Sequence, residues 1–342
     1  FGGDVDYRDA TNFGSATIDF DGIDDYLDSA QILDGKTSAT IMAWIKLVDP
    51  DFDEDRFVVG QDNFNMIIND ILELTVRVNE NSYSLPTALD LNKWIHIAAV
   101  YDQSTGLVIY VNGARESSES ISGLLSSNGD KFSIGKNSLS NSEFFKGSID
   151  EVRVFDVALT DSQIQQMVFQ EIEENTTANV VKGVIAPLDI KDFTLGTTIP
   201  WSNLQAYYDM NVISGGKTFD SSSYNRDAIL YNINSIQEQT SPIPYETKQD
   251  GYWGNTDIWL NGDVWDIQDP STVKDWAIYN IKHNVNYDSS IKSFGLIIDN
   301  DKSVTISGDE EVSNGWYFEL NGSLDLAGDS QLIQTVNSEL VT

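Results

Sequence analysis

The amino-acid sequence predicts an all-β protein, with an antiparallel β-sandwich followed by a second β-rich domain. Residues 16–157 consist of short strand-like runs separated by turns, as in Leu72–Val78, where apolar and polar side chains alternate. Asn112 and Gly113 lie between two such runs, and this dipeptide is a strong signal for a β-hairpin. Many short strands with frequent turns are typical of a sandwich or jelly roll.

Two further segments define the first domain. Lys93–Tyr101 is apolar on both faces, which predicts a central strand. Asp161–Glu171 has a helical pattern, and its apolar stripe of Ile164, Met167 and Val168 is expected to pack on the sandwich and close the domain. We therefore place the first domain at residues 1–172 and a polar linker at residues 173–200.

Residues 201–342 form the predicted second domain. Their very short strands, such as Val304–Ile306, are separated by Gly, Asn and Asp, which predicts either a small sandwich or the start of a β-solenoid. Trp253, Trp259 and Trp265 lie in turn-rich stretches, where they could stack on sugars or pack within hairpins.

The composition disfavours several classes of partner. The 54 acidic residues outnumber the 20 basic residues and give a net charge of −34, which repels nucleic acid and anionic lipid surfaces. The absence of cysteine excludes disulfides and thiolate sites, and no apolar run is long enough to insert into a membrane. Since the chain starts at Phe1 without Met or a signal peptide, we expect a processed product or a segment of a longer polypeptide. Because it ends among very short strands, we expect the second domain to continue beyond Thr342.

The first region resembles the laminin G-like (concanavalin A-like, pentraxin-related) jelly-roll domains of bacterial surface proteins. The matching pieces follow the order of that family and are FDGIDDYL (20–27), IMAWIKL (41–47), LNKWIHIAAVYD (91–102), IYVNG (109–113) and GSIDEVRVFDVALTDSQI (147–164). The resemblance implies two packed antiparallel sheets, often a structural calcium ion, and a role in binding glycans or proteins.

The second region is similar to segments of large cell-surface proteins of gliding and marine Bacteroidota that are exported by type IX secretion. The similar pieces are WSNLQAYY (201–208), SPIPYETKQDGYW (241–253), WLNGDVW (259–265) and LNGSLDLAGDSQLIQ (320–334). This resemblance implies a cell-surface location, adhesion, and contact with the secretion machinery during export. In addition, LQAYYDM (204–210) and FDSSSYNRDAIL (219–230) resemble a segment that usually precedes a laminin G-like core, so a truncated second copy and a rearranged strand are both possible.

Two acidic corners are candidates for a metal site. Asp21 and Gly22 form a tight turn with Asp24 and Asp25 close behind, while Asp150 lies near the start of the last strand of the sandwich. If the first and last strands pair, the two corners meet. Calcium binds about six to eight oxygen atoms from carboxylates and backbone carbonyls, which these residues can supply.

The direction of Asp150 supports this hypothesis. Strict alternation puts its carboxylate on the same face as Val152 and Val154, where a charge is costly unless it is paired or bound to metal. The family resemblance implies a structural calcium ion at Asp150, at Asp24 or Asp25, and at the Gly22 carbonyl. The alternative is that the acidic side chains cap turns by accepting hydrogen bonds from backbone amides.

The sequence predicts no enzyme. It contains no G-x-S-x-G motif, and His96 lies in the middle of an apolar strand pattern that is typical of a structural histidine. The strands that correspond to the acid pairs of jelly-roll glucanases offer only Glu73. We therefore expect a secreted binding or adhesion segment of a bacterial cell-surface protein, with a glycan or a surface protein as ligand. The alternatives are a carbohydrate-binding module of a polysaccharide-degrading enzyme and a purely structural spacer.

Overall fold

The computed structural model describes residues 11–12, 17–48, 54–127, 129–139, 142–233, 235–237, 241–262, 275–334 and 339–341. The regular secondary structure of the described part of the chain is almost entirely β-strand. Its strands before the helix are β1 (Thr11–Asn12), β2 (Thr17–Asp21), β3 (Tyr26–Asp28), β4 (Ser38–Leu47), β5 (Arg56–Gln61), β6 (Phe64–Ile68), β7 (Glu73–Val78), β8 (Asn81–Ala88), β9 (Trp94–Asp102), β10 (Gly106–Val111), β11 (Ala114–Glu119), β12 (Ser133–Ile134) and β13 (Lys146–Phe155).

The remaining elements follow in chain order. The helix α1 (Asp161–Met167) precedes a two-stranded sheet of β14 (Ile172–Asn175) and β15 (Val180–Gly183). A 3-10 turn at Trp201–Asn203 and another at Thr256–Ile258 accompany the later strands. These strands are β16 (Leu204–Tyr208), β17 (Val212–Ser214), β18 (Lys217–Thr218), β19 (Ala228–Tyr231), β20 (Ser235–Gln237), β21 (Tyr245–Glu246), β22 (Gly251–Tyr252), β23 (Ile278–Ile281), β24 (Val285–Tyr287), β25 (Ile291–Ile298), β26 (Ser303–Ile306), β27 (Glu311–Leu320), β28 (Ser323–Leu326), β29 (Gln331–Gln334) and β30 (Glu339–Val341).

The chain forms two compact units that interleave along the sequence. The first unit comprises Phe1–Asp161, Thr176–Val180 and Thr197–Ser241, and the second comprises Ser162–Asn175, Val181–Gly196 and Pro242–Thr342. Helix α1 ends at Met167, four residues before the predicted end, because the chain then turns into β14. No helix in the described ranges is long and apolar enough to cross a membrane.

The first unit is an antiparallel sandwich of two sheets. Within the described residues, one sheet has the order β1-β17-β18-β19-β3-β12-β5-β6-β7-β8, and the other has the order β11-β10-β9-β4-β13-β2-β20, with β16 also paired to β13. Their inner faces supply one continuous apolar core, in which Ala43 and Ile45 of β4 are fully buried, as are Val59 of β5 and Val76 of β7. The predicted sandwich is confirmed.

Strand β13 has two successive partners along one edge. Its first half pairs with β2, where Ile149 lies opposite Ile18, and its second half pairs with β16, where Val152 lies opposite Tyr208. Residues 204–231 therefore supply strands β16–β19 to the sheets of the first unit. Of the two alternatives for this segment, the structure contains the rearranged strand.

A β-bulge in β13 changes the direction of its side chains. Asp150 lies opposite Trp44, whereas Arg153 lies opposite Met42, so β13 contains one residue more than β4 at this point. Glu151 occupies the bulge with a φ of 55°. The extra residue breaks the alternation, and Asp150 shares a face with Trp44 instead of with the core residue Val152. Strict alternation therefore gives the wrong direction for Asp150.

The second unit contains a parallel β-solenoid. Strands β21, β23, β25, β27 and β29 form one parallel sheet, to which β30 adds through β27, and strands β22, β24, β26 and β28 form another. Val285 pairs with Val304 and Val304 pairs with Leu324, so successive coils are 19 and 20 residues long. The structure therefore selects the β-solenoid over the small sandwich.

Candidate functional site

The turn between β2 and β3 forms the first acidic corner. Asp21 ends β2, and its Oδ1 atom accepts hydrogen bonds from the backbone amides of Ile23 at 2.7 Å and Asp24 at 3.3 Å. Gly22 has a φ of 80°, and a Cβ atom there would lie 2.9 Å from the Cβ atom of Lys146. Since both the backbone conformation and the space favour glycine, the turn is closely specified by its sequence.

Three carboxylates converge at this corner. Asp21, Asp24 and Asp25 each offer an oxygen atom, and these atoms all lie within 4.8 Å of one another. Asp21 and Asp24 are exposed, but Asp25 is only 1% exposed. Its Oδ2 atom accepts a hydrogen bond from the Asp21 amide at 3.0 Å, whereas its buried Oδ1 atom has no hydrogen-bond partner among the residues that the structure describes. The pKa of Asp25 is raised to about 7, mainly by burial and also by the neighbouring carboxylates, while the hydrogen bond from the Asp21 amide lowers it in part.

Asp150 lies apart from this group. On the paired strands, Asp21 is opposite Lys146, four residues before Asp150, which corresponds to roughly 13 Å along the strand. The Asp150 carboxylate accepts hydrogen bonds from the Glu151 and Ser241 amides, each at 3.0 Å. The structure thus brings together the carboxylates of Asp21, Asp24 and Asp25, with Gly22 in the same turn, whereas Asp150 caps backbone amides where β13 changes partner.

The buried Asp150 carboxyl makes the stability of the first unit depend on pH. Burial raises its pKa to about 7, since the amide hydrogen bonds do not offset the lost hydration and Asp209 adds repulsion. Because the folded protein binds this proton more tightly than the unfolded chain, we expect the free energy of unfolding to fall as pH rises from about 4 to 7. The change due to Asp150 is at most about 4 kcal/mol.

Urea unfolding of the full chain in chelator, measured at intervals between pH 4 and pH 8, checks this expectation. Asp150→Asn should flatten the pH dependence. Asp25→Asn is the matched control, because the pKa of Asp25 is raised in the same direction and its loss should leave the Asp150 contribution in place. A wild-type pH dependence in Asp150→Asn would contradict the assignment.

A buried ionic network lies next to Asp150. Arg153 forms an ion pair with Glu151, and both side chains are at most 2% exposed. Tyr207 of β16 donates a hydrogen bond to Glu151 Oε2 at 2.8 Å, and the Arg153 guanidinium lies 5.1 Å from the centre of the Tyr207 ring. Burial and then the charge of Arg153 lower the pKa of His96 to about 3, so this histidine is neutral.

Sequence reasoning missed this network for a simple reason. Glu151 and Arg153 look like ordinary surface charges on an alternating strand, and the bulge and the partner Tyr207 are visible only in the fold.

The structure also shows where the tryptophans of the turn-rich stretches lie. Trp253 and Trp259 are buried in the solenoid, where Trp259 stacks on Tyr245 with ring centres 4.5 Å apart. Trp265 lies outside the described residues.

Several solved structures share features with this chain. A Bacteroides ovatus protein of proposed carbohydrate-binding role is 23% identical, with a TM-score of 0.48 over 65% of this chain and 59% of that chain. The SAP-like pentraxin of Limulus polyphemus is 20% identical, with a TM-score of 0.39 over 63% of this chain and 99% of its own. The CBM40 domain of the Ruminococcus gnavus IT-sialidase is 14% identical, with a TM-score of 0.35 over 43% of this chain and 93% of its own.

The match to the Bacteroides ovatus protein thus covers less than two thirds of that protein. No curated protein sequence matches this chain. A family model covers the part of the chain that contains the acidic corner and most of the sandwich. Residues 21–165 match the concanavalin A-like lectin/glucanases superfamily.

Proposed function

We propose that this chain is a non-enzymatic binding segment of a secreted bacterial cell-surface protein, with a glycan or a surface protein as its ligand. The observation that carries the proposal is the match of residues 21–165 to a lectin and glucanase superfamily, within a complete two-sheet sandwich. The strongly acidic surface favours solubility and divalent cations over nucleic acid or anionic lipid.

The carboxylates of the candidate catalytic strands support a binding role over hydrolysis. Glycoside hydrolysis usually needs two carboxyl groups that flank one bond. Within β7, β9 and β10, the acidic residues are Glu73 and Asp102, which belong to different sheets. Glu73 accepts a hydrogen bond from Asn69 at 3.1 Å, and Asp102 caps a turn by accepting from the Ser104 amide at 2.9 Å. Both groups have local structural roles.

Binding of the full chain to a glycan array, measured with and without chelator, tests this function. Binding that falls when calcium is removed would support a calcium-stabilised lectin, and a protein ligand is expected if no arrayed glycan binds. Incubation with soluble polysaccharides should release no reducing sugar. Measurable hydrolysis would contradict the non-enzymatic part of the proposal.

We further propose that the acidic corner of the first unit holds a structural calcium ion. Asp21, Asp24 and Asp25 fit such an ion, because Asp25 has a buried oxygen atom that no group in the described part of the chain hydrogen-bonds, beside two exposed carboxylates. Bound calcium would offset two of the three converging negative charges and tie the end of β2 to the start of β3. Asp150, which is bonded to backbone amides, is outside this ligand set.

Calcium is expected to raise the thermal midpoint of the first unit. At a free concentration one hundred times Kd, an ion that binds only the folded state stabilises it by about 2.7 kcal/mol. Differential scanning calorimetry of the full chain, in chelator and in millimolar calcium, measures this shift.

Asp24→Asn should remove most of the calcium-induced shift, since it deletes one ligand charge from an exposed side chain that makes few structural contacts. Asp70→Asn is the matched control, because it removes an equally exposed carboxylate outside the corner. Equal calcium shifts in wild type and Asp24→Asn, or no shift in wild type, would refute the calcium site.

A further inference from the structure

The second unit contains an open cleft of about 400 Å³ that the proposed function does not use. Its lining includes Gln165 of helix α1 and Phe193 of the segment that follows β15. The solenoid strands contribute Lys292, Ser313 and Trp316. The cleft therefore combines aromatic rings with amide, hydroxyl and amino groups. Such a mixture is typical of sites that orient a small ligand by a few polar contacts.

Three aromatic rings lie nearly parallel in this cleft. The ring centres of Phe193 and Trp316 are 4.5 Å apart with an interplanar angle of 9°, and those of Phe294 and Trp316 are 6.1 Å apart with an angle of 20°. Phe294 and Trp316 come from adjacent coils, because β25 and β27 are neighbours in the parallel sheet. Phe193 is 42% exposed whereas Phe294 is 3% exposed, so it is chiefly the Phe193 ring that presents apolar surface to solvent.

The exposed ring of Phe193 is held in place by its backbone. Gln166 of α1 donates a hydrogen bond to the Lys191 carbonyl at 2.6 Å, and the Phe193 amide donates to Ser162 Oγ at 3.1 Å. Asp192 Oδ1 then accepts hydrogen bonds from the amides of Thr194 at 2.8 Å and Leu195 at 2.6 Å. The ring is therefore preorganised, which lowers the entropy lost when a ligand binds.

The chemistry of the cleft favours an uncharged sugar. Pyranose rings have apolar C–H faces that can pack on the exposed ring of Phe193, which Trp316 supports by stacking. Their hydroxyls can exchange hydrogen bonds with Gln165, Ser313 and Lys292. The lining contains one carboxylate, Asp275, and one ammonium group, Lys292, so it offers no net charge to an ionic ligand, and the net charge of −34 disfavours an anion. We propose that this cleft is a calcium-independent binding site for a neutral oligosaccharide, separate from any site on the sandwich.

Isothermal titration calorimetry of the full chain with cellohexaose, mannohexaose, xylohexaose and laminarihexaose tests the proposal. At least one hexasaccharide should bind, and binding should persist in chelator. Phe193→Ala should weaken binding about tenfold without unfolding the protein, since the ring is 42% exposed and is not one of the buried core side chains. Phe193→Tyr should retain binding, because it keeps the flat apolar ring.

Tyr252→Ala is the matched control, since Tyr252 is an exposed aromatic residue of the same unit that lines a different cleft. It should leave the affinity unchanged. Loss of binding in Tyr252→Ala but not in Phe193→Ala would overturn the proposal, as would binding to none of the four sugars, which leaves a protein ligand for the sandwich possible. Binding that chelator abolishes and Phe193→Ala preserves would also overturn it, while supporting a calcium-dependent site on the first unit.

Discussion

Replacement of Arg153 by methionine is expected to lower the free energy of unfolding of the first unit by about 3–5 kcal/mol. Arg153 and Glu151 form an ion pair away from solvent, with Arg153 only 1% exposed. Methionine preserves much of the apolar volume but leaves the Glu151 carboxylate buried without its cation. The hydrogen bond from Tyr207 offsets only a small part of that loss.

Urea denaturation of the full chain, followed by a signal from the sandwich, measures the loss. Arg115→Met is the matched control, because Arg115 is 51% exposed and lies 4.0 Å from Asp161, so its removal should cost less than about 1 kcal/mol. The double variant Glu151→Gln with Arg153→Met should recover much of the stability, since no buried charge remains. Equal losses in Arg153→Met and Arg115→Met would show that burial does not govern this pair.

A chain that ends at residue 200 is expected to lack a cooperatively folded sandwich. It loses strand β16, which pairs with β13, and strands β17–β19, which continue the sheet from β3. It also loses the core side chains of Tyr208, Met210, Ile213 and Ile233. At about 1.5–3 kcal/mol each, their burial is comparable to the entire net stability of a typical domain, which is about 5–15 kcal/mol.

Near-ultraviolet circular dichroism and urea denaturation test this expectation, with a chain that ends at residue 241 as the control. The longer chain retains β16–β20 and should unfold in one cooperative transition. If the chain ending at residue 200 unfolds with the same midpoint, the strands after residue 200 are not needed for the sandwich. A result of that kind would also change the choice of fragment for binding studies.

The sandwich was largely predictable because its signals are local. The alternation in Leu72–Val78 and the Asn112–Gly113 turn fix strands and a hairpin within a few residues, and the structure has both β7 and the β10–β11 hairpin. The contribution of Leu204–Tyr208 was not predictable from its own pattern. Its partner is set by which edge of β13 remains open, which depends on the packing of the whole sheet.

One part of the candidate metal site was likewise predictable from the sequence, and another part was not. Asp21, Asp24 and Asp25 lie within five residues of one another, so a single tight turn brings them together as the sequence suggests. Asp150 depends on strand register, and a one-residue bulge moves it to the other face of the sheet. The aromatic cleft was missed because Phe193 and Trp316 are distant in sequence and meet only through the solenoid.

The late strands of the first unit also set when it can fold. Leu27 pairs with Leu230, and Ile18 pairs with Ile236. Each sheet of the sandwich therefore pairs a strand near the start of the unit with a strand more than 200 residues later in the sequence. During synthesis the sandwich therefore cannot reach its native pairing until about residue 237 is available, after segments of the second unit have already emerged. Pairings of such high sequence separation make folding slow. Because of this connectivity, the sandwich remains incomplete during synthesis for longer than a sandwich built from contiguous strands would.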